Sequence, residues 1–131
     1  MTWRAADGAC GAEVIACNTC RNGDAPGAGA ALVQALQRAK ADDQRYDGIA
    51  VEQVSCLFAC QQGCTIHLRA AGKWGYVLGR FTAEEELARA MLDFALLYAD
   101  SADGQVAYRD WPQGVKGRFL TRMPPAGMLP A

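Results

Sequence analysis

Val54-Ser55-Cys56-Leu57-Phe58-Ala59-Cys60-Gln61-Gln62-Gly63-Cys64 is the stretch from which the rest of the chain is laid out. It leaves one strand-like run and enters another. Ile49, Val51 and Val54 precede it, β-branched and with no helix-length apolar stripe, so they read as a strand. Thr65-Ile66-His67-Leu68-Arg69 follows and alternates apolar with polar residues, the period of a strand covered on one face. Between the two strands lie three thiols at four-residue intervals, in loop-like surroundings.

Downstream, Ala71-Gly72 is a tight turn, and Trp74, Tyr76, Val77 and Leu78 form the return strand of a hairpin. Thr82-Ala83-Glu84-Glu85 has the Ser/Thr-x-x-Glu form of a capping box. It predicts a helix over residues 83 to about 98, with Leu87, Met91, Phe94, Ala95 and Tyr98 turned inward and Ala102-Asp103-Gly104 as its stop. Upstream, Asp47-Gly48 is a turn, and residues 28–41 are rich in Ala, Leu, Gln, Arg and Lys. Leu32, Ala35, Leu36 and Ala39 share one stripe there, predicting a second amphipathic helix. Before it come the turn residues Asn22-Gly23-Asp24-Ala25-Pro26-Gly27 and a short buried strand, Glu13-Val14-Ile15-Ala16, which ends at Cys17. The order is βαβ followed by ββα, the thioredoxin-like order: a four-stranded mixed sheet with flanking helices.

With 131 residues the chain reads as one domain, 1–131, with a core over about 12–100. Residues 1–11 form a loose lead-in. Residues 105–131, with Trp111-Pro112 and Pro124-Pro125, read as an extended, irregular tail. Trp111 and Phe119 would anchor it as a strap over a sheet edge or helix face. Its excess of Arg109, Lys116, Arg118 and Arg122 over Asp110 offers a second reading, a basic docking surface. Thirteen basic against 14 acidic residues call for neither nucleic acid nor membrane. No apolar run reaches the length of a membrane span, and the N-terminal residues lack the basic-then-apolar order of a signal peptide. The expected compartment is the cytoplasm.

Six cysteines then point to metal or redox chemistry more than to disulfides. Cys17-Asn18-Thr19-Cys20 follows one strand, and Cys56-x3-Cys60 follows another. Folding a single sheet can bring the two pairs together as four thiolates, the ligand count of a [2Fe–2S] cluster. Gly23 and Gly63 stand in loops that could aim backbone N–H groups at sulfur, and Leu57 and Phe58 are placed to shield the core-facing side. The same thiolates would suit a structural zinc ion, although CxxxC is a less usual zinc knuckle than CxxC. A thioredoxin-type dithiol at Cys17 and Cys20 ranks lower, because helix breakers follow Cys20 and no proline lies between Pro26 and Pro112.

CxxC, then thirty-five residues, then CxxxC resembles the thioredoxin-like [2Fe–2S] ferredoxins over roughly residues 12–100. Cys17 to Arg21 and the Cys-Leu-x-x-Cys-x-x-Gly-Cys run of residues 56–64 are similar still more closely to a small bacterial family described as predicted metal-binding proteins. The ferredoxin resemblance implies an electron carrier, not an enzyme, with Cys17, Cys20, Cys56 and Cys60 as cluster ligands. It also implies a redox partner protein and a possible homodimer. The ferredoxins space their first two cysteines more widely, so Cys64 stands as a first substitute ligand and Cys10 as a second. The second family implies metal binding or delivery, zinc or cobalt, and an association with cobalamin metabolism.

His67 is the only histidine, and its place between Ile66 and Leu68 turns it away from their face, as an ordinary strand residue. One histidine cannot make a Rieske-type site, which needs two. Glu84-Glu85-Glu86 fits the positive end of a helix dipole. No phosphate loop, nucleophile elbow or carboxylate pair points to a hydrolase.

Overall fold

The computed structural model describes every residue except 1, 2, 7 and 21–26, and describes Cys60 by its backbone alone. In chain order the elements are β1 (Glu13–Cys17), α1 (Ala28–Asp42), β2 (Ala50–Val54), β3 (Cys64–Arg69), β4 (Gly75–Phe81), α2 (Glu85–Asp100) and β5 (Phe119–Met123). They form one mixed sheet in the order β2-β1-β3-β4-β5. β1 and β2 run parallel across the α1 crossover, from Glu13↔Ala50 to Cys17↔Val54. β3 is antiparallel to β1, β4 to β3 and β5 to β4.

This register places the site. The exits of β1 and β2 lie side by side, and the entrance of β3 meets the same end, since Ala16 pairs with Ile66. Three strand ends, belonging to the β1–α1 and β2–β3 connections, therefore converge at one end of the sheet. β1 is interior to the sheet, with a strand on each side, and its apolar run, Val14 to Cys17, is buried throughout.

The helices pack against each other and so share one face of the sheet. On α1 the predicted stripe of Leu32, Ala35, Leu36 and Ala39 is buried, joined by Gly29 and Val33. On α2 the buried set is Leu87, Ala88, Ala90, Met91, Leu92, Phe94, Ala95 and Tyr98. They meet Val14, Ala16, Ile66, Leu68 and Leu78 from the sheet, all fully buried. Each such large apolar side chain contributes about 1.5–3 kcal/mol through water exclusion. Two tyrosines complete the core with their hydroxyls satisfied. Tyr46 donates to Asp93 Oδ1 at 2.5 Å, and Tyr98 donates to the Trp74 carbonyl. His67 is half-buried between Ile66 and Leu68, as its alternation predicts.

Two sequence expectations are corrected. The sheet has five strands, not four, because residues 119–123 of the tail pair with β4 from Phe119↔Leu78 to Met123↔Gly75. The tail is thus part of the fold. Trp111 and Phe119 anchor it as a strap, their ring centroids 4.6 Å apart and 5.7 and 5.2 Å respectively from that of Phe94 on α2. The second correction concerns the capping box. α2 begins at Glu85 with Glu84 as its N-cap, so Thr82 sits too early to cap it, and its buried hydroxyl has no hydrogen-bond partner. Glu85 and Glu86 do occupy the first turn, where the dipole favours them.

Candidate functional site

The exit of β1 is tied to the exit of β2 residue by residue. Asn18 N–H donates to the Val54 carbonyl at 2.9 Å, extending the parallel ladder past Cys17. The Thr19 hydroxyl then donates to the Ser55 carbonyl, and the same carbonyl lies 3.6 Å from Cys17 Sγ. The Cys17–Cys20 turn is thereby sewn onto the residues that lead into Cys56. From behind, α1 holds the turn: Gly29 N–H donates to the Cys20 carbonyl at 2.9 Å. A Cβ on Gly29 would lie 2.4 Å from the Cys17 oxygen and 2.8 Å from the Cys20 nitrogen, so only glycine allows this approach.

Cys17 and Cys20 are both buried and hydrogen-bonded to one another. Burial raises the Cys17 pKa, but hydrogen bonding with the Cys20 thiol, with Thr19 and from the Leu57 N–H outweighs it. Cys17 therefore titrates below an ordinary thiol. Cys20 titrates above one, through burial first and then the bond to Cys17, which favours its protonated form. The Thr65 hydroxyl stands 3.4 Å from Cys20 Sγ. Cys64, fully buried at the entrance of β3, is pushed up to about 11 by burial and by its neighbours Cys20 and Cys17. A bulge between Cys64 and Ile66 lets residues 64, 65 and 66 all point inward, where a regular strand would alternate.

Facing these three thiols is the loop of residues 55–63. Cys56 is exposed and accepts a hydrogen bond from Phe58 N–H at 3.2 Å. Phe58 has φ 59, left-handed backbone that a bulky side chain seldom adopts. Gly63, with φ 71 and ψ −148, occupies a region open to glycine alone, and turns the loop into β3. Arg80 Nη1 reaches the loop at Gln62 Oε1, 3.5 Å away.

The predicted residues thus separate into groups. Cys17, Cys20 and Cys64 come together, and Cys56 belongs to the abutting loop. The backbone of Cys60 starts a short turn, Cys60–Gln62, in that loop, and its side chain lies outside the described residues. Gly23 and Arg21 lie outside them too. Cys10 is exposed and bonds Gly48 through its N–H, at the opposite end of β1 from the other thiols. Phe58 does not shield the core-facing side: its ring is 97% exposed, whereas Leu57 packs partly against the core. Left-handed backbone at residue 58 turns the ring outward. Among the described residues no three of Cys, His, Asp and Glu stand close enough to hold a metal ion. Sequence reading missed Thr19, Thr65, Gly29 and the Ser55 carbonyl. Only Thr19 carried a signal, lying inside CxxC.

Fold and site together define a mixed α/β domain with a buried, asymmetric dithiol backed by a third thiol and faced by a further cysteine loop. The chain belongs to the family described as protein of unknown function (DUF1636), whose model matches residues 14–125, from β1 past β5 and across both cysteine segments. No curated protein and no solved structure matches it.

Proposed function

We propose that this protein carries single electrons on a [2Fe–2S] cluster held by Cys17, Cys20, Cys56 and Cys60. The observation that carries the reading is the Thr19–Ser55 bond, which joins the CxxC turn to the CxxxC loop at one end of the sheet. The donor set fits such a group in its chemistry. Thiolates gather negative charge, and hydrogen-bond donors already face the sulfurs: Thr19 and Leu57 N–H at Cys17, the Thr65 hydroxyl at Cys20, and Phe58 N–H at Cys56. When bound, a cluster of this kind supplies one reversibly held electron. The buried neighbours of Cys17 and Cys20 keep water from one side, while the exposed Cys56 side, with the Phe58 ring beside it, is where a redox partner protein would dock. Cys64, protonated and buried, serves as packing behind the site.

The sheet order supports a thioredoxin-like assignment within this reading. β2-β1-β3-β4, with β1 and β2 parallel and the others antiparallel, follows the βαβ-then-ββα plan, and β5 is an addition at its edge. On this account the protein is a carrier and not an enzyme.

A second reading has its own observation, the unequal Cys17–Cys20 pair. A lowered first thiol bonded to a raised second one is the arrangement a thiol–disulfide exchanger uses, and α1 touches the turn through Gly29 although it starts late in sequence. Anaerobically purified protein separates the two. The carrier binds iron and acid-labile sulfide and shows visible charge-transfer bands, which Cys→Ser at 17, 20, 56 or 60 removes and Cys64→Ser leaves. The exchanger is colourless and retains activity when Cys56 and Cys60 are changed to Ser.

A further inference from the structure

Away from the cysteines, the tail and the sheet enclose a cleft of about 350 Å3. Its walls are partly exposed faces of three rings: Tyr76 on β4, Trp111 in the tail and Phe119 at the start of β5. The Tyr76 and Phe119 centroids are 5.4 Å apart, and the Trp111 indole is fixed by donating from Nε1 to the Val106 carbonyl at 2.8 Å. The polar end is Arg122. Its guanidinium lies 4.3 Å over the Trp74 ring, and Nη1 donates to Gln105 Oε1 at 3.4 Å. Gln105 is itself held, because its Nε2 donates to Asp103 Oδ2 at 2.8 Å. Arg122 enters none of the ion pairs among the described residues.

We propose that this cleft binds a small planar aromatic carboxylate, its ring system against Trp111, Phe119 and Tyr76 and its carboxylate on Arg122. The volume falls within the range of small-molecule sites, about 300–1,000 Å3, and the lining has their composition, apolar walls with a few convergent polar groups. Flat aromatic walls favour a flat ligand over a branched aliphatic one. A planar guanidinium fork, kept in place by stacking and by Gln105, matches a carboxylate in geometry and in charge. A phosphate dianion fits less well, since Asp103 stands behind Gln105 and Arg122 is the one cation among the described residues that line the cleft. None of the cysteine-loop residues lines it, so this assignment stands or falls apart from the electron-carrier reading.

The test is a titration of the full 15N-labelled chain with 2-naphthoate, followed through the Trp111 indole N–H signal. The expected result is saturable movement with a dissociation constant below about 1 mM. Neutral 2-naphthalenemethanol binds about tenfold more weakly, the loss of one charge-assisted contact. In Arg122→Gln, an exposed substitution that leaves the rings in place, acid and alcohol bind equally at the weaker affinity. Absence of saturable movement at Trp111, equal binding of acid and alcohol to the unaltered protein, or full discrimination retained in Arg122→Gln overturns the proposal.

Discussion

At Gly29 one methyl group decides whether the thiol pair can form. The atoms a Cβ would strike are backbone, the Cys17 oxygen and the Cys20 nitrogen, and neither has a flexible end that can swing aside. Gly29→Ala should therefore cost about 1–3 kcal/mol, the range for overpacking, and should displace the CxxC turn from α1. Urea unfolding checks the first effect and loss of metal binding the second. The tyrosines set a different limit. Folded Tyr46 and Tyr98 both titrate at about 12, raised from 10.0 first by burial. Their protonated forms are favoured by folding, so this stability is whole below pH 10, where the unfolded chain also keeps its protons. It is lost as pH rises through the folded values. Stability measured from pH 9 upwards should fall steeply above pH 10, and Tyr46→Phe should flatten part of that fall. Residue by residue, the cysteines were legible in the sequence because their spacing is unusual. Gly29 was not, since a glycine at a helix start has many innocent explanations and its reason is a contact across the fold.

For single elements, what sequence reveals depends on how local the cause is. α1 and α2 carry their own periodicity, and the inward positions inferred from it are buried. β1 and β3 were marked by an apolar run and by alternation, and each lies where the pattern placed it. β5 was concealed. Its five residues, Phe-Leu-Thr-Arg-Met, sit between glycines and prolines, and what makes them a strand is the open edge of β4, distant in sequence. The capping box misled for the opposite reason: the local motif is present, but the chain turns Thr82 inward and starts α2 later. A strap held by aromatic contacts makes a prediction of its own. Trp111→Ala removes ring contacts to Phe94, Tyr108 and Phe119, and should lower stability by about 3 kcal/mol, at the lower end for a large aromatic because Trp111 is only partly buried. Ending the chain at residue 104 should do more, uncovering Phe94 and Tyr76 and leaving β4 as a bare edge; the expected outcome in light scattering is association of the shortened protein.

Across the whole molecule, the topology explains why cysteines so far apart in sequence belong to one region. A parallel β1–β2 pair must send both exits to the same end, and an antiparallel β3 must begin there. The convergence of both cysteine segments was therefore readable from the order of strands, before any side chain was placed. The layers of that end were not readable. Cys17, Cys20 and Cys64 lie beneath the surface with their protons unequally held, while Cys56 faces solvent on a loop bent by left-handed backbone at Phe58. This layering follows from the bulge at the start of β3 and from the Thr19–Ser55 tie, neither of which has a motif. The most direct test of the electron-carrier claim is an ultraviolet–visible spectrum of anaerobically purified protein, with iron, sulfide and zinc counted on the same sample. The account predicts visible charge-transfer bands that bleach with dithionite, and two irons and two sulfides per chain. A colourless protein that holds zinc, or that takes up no iron even on anaerobic reconstitution, would contradict it.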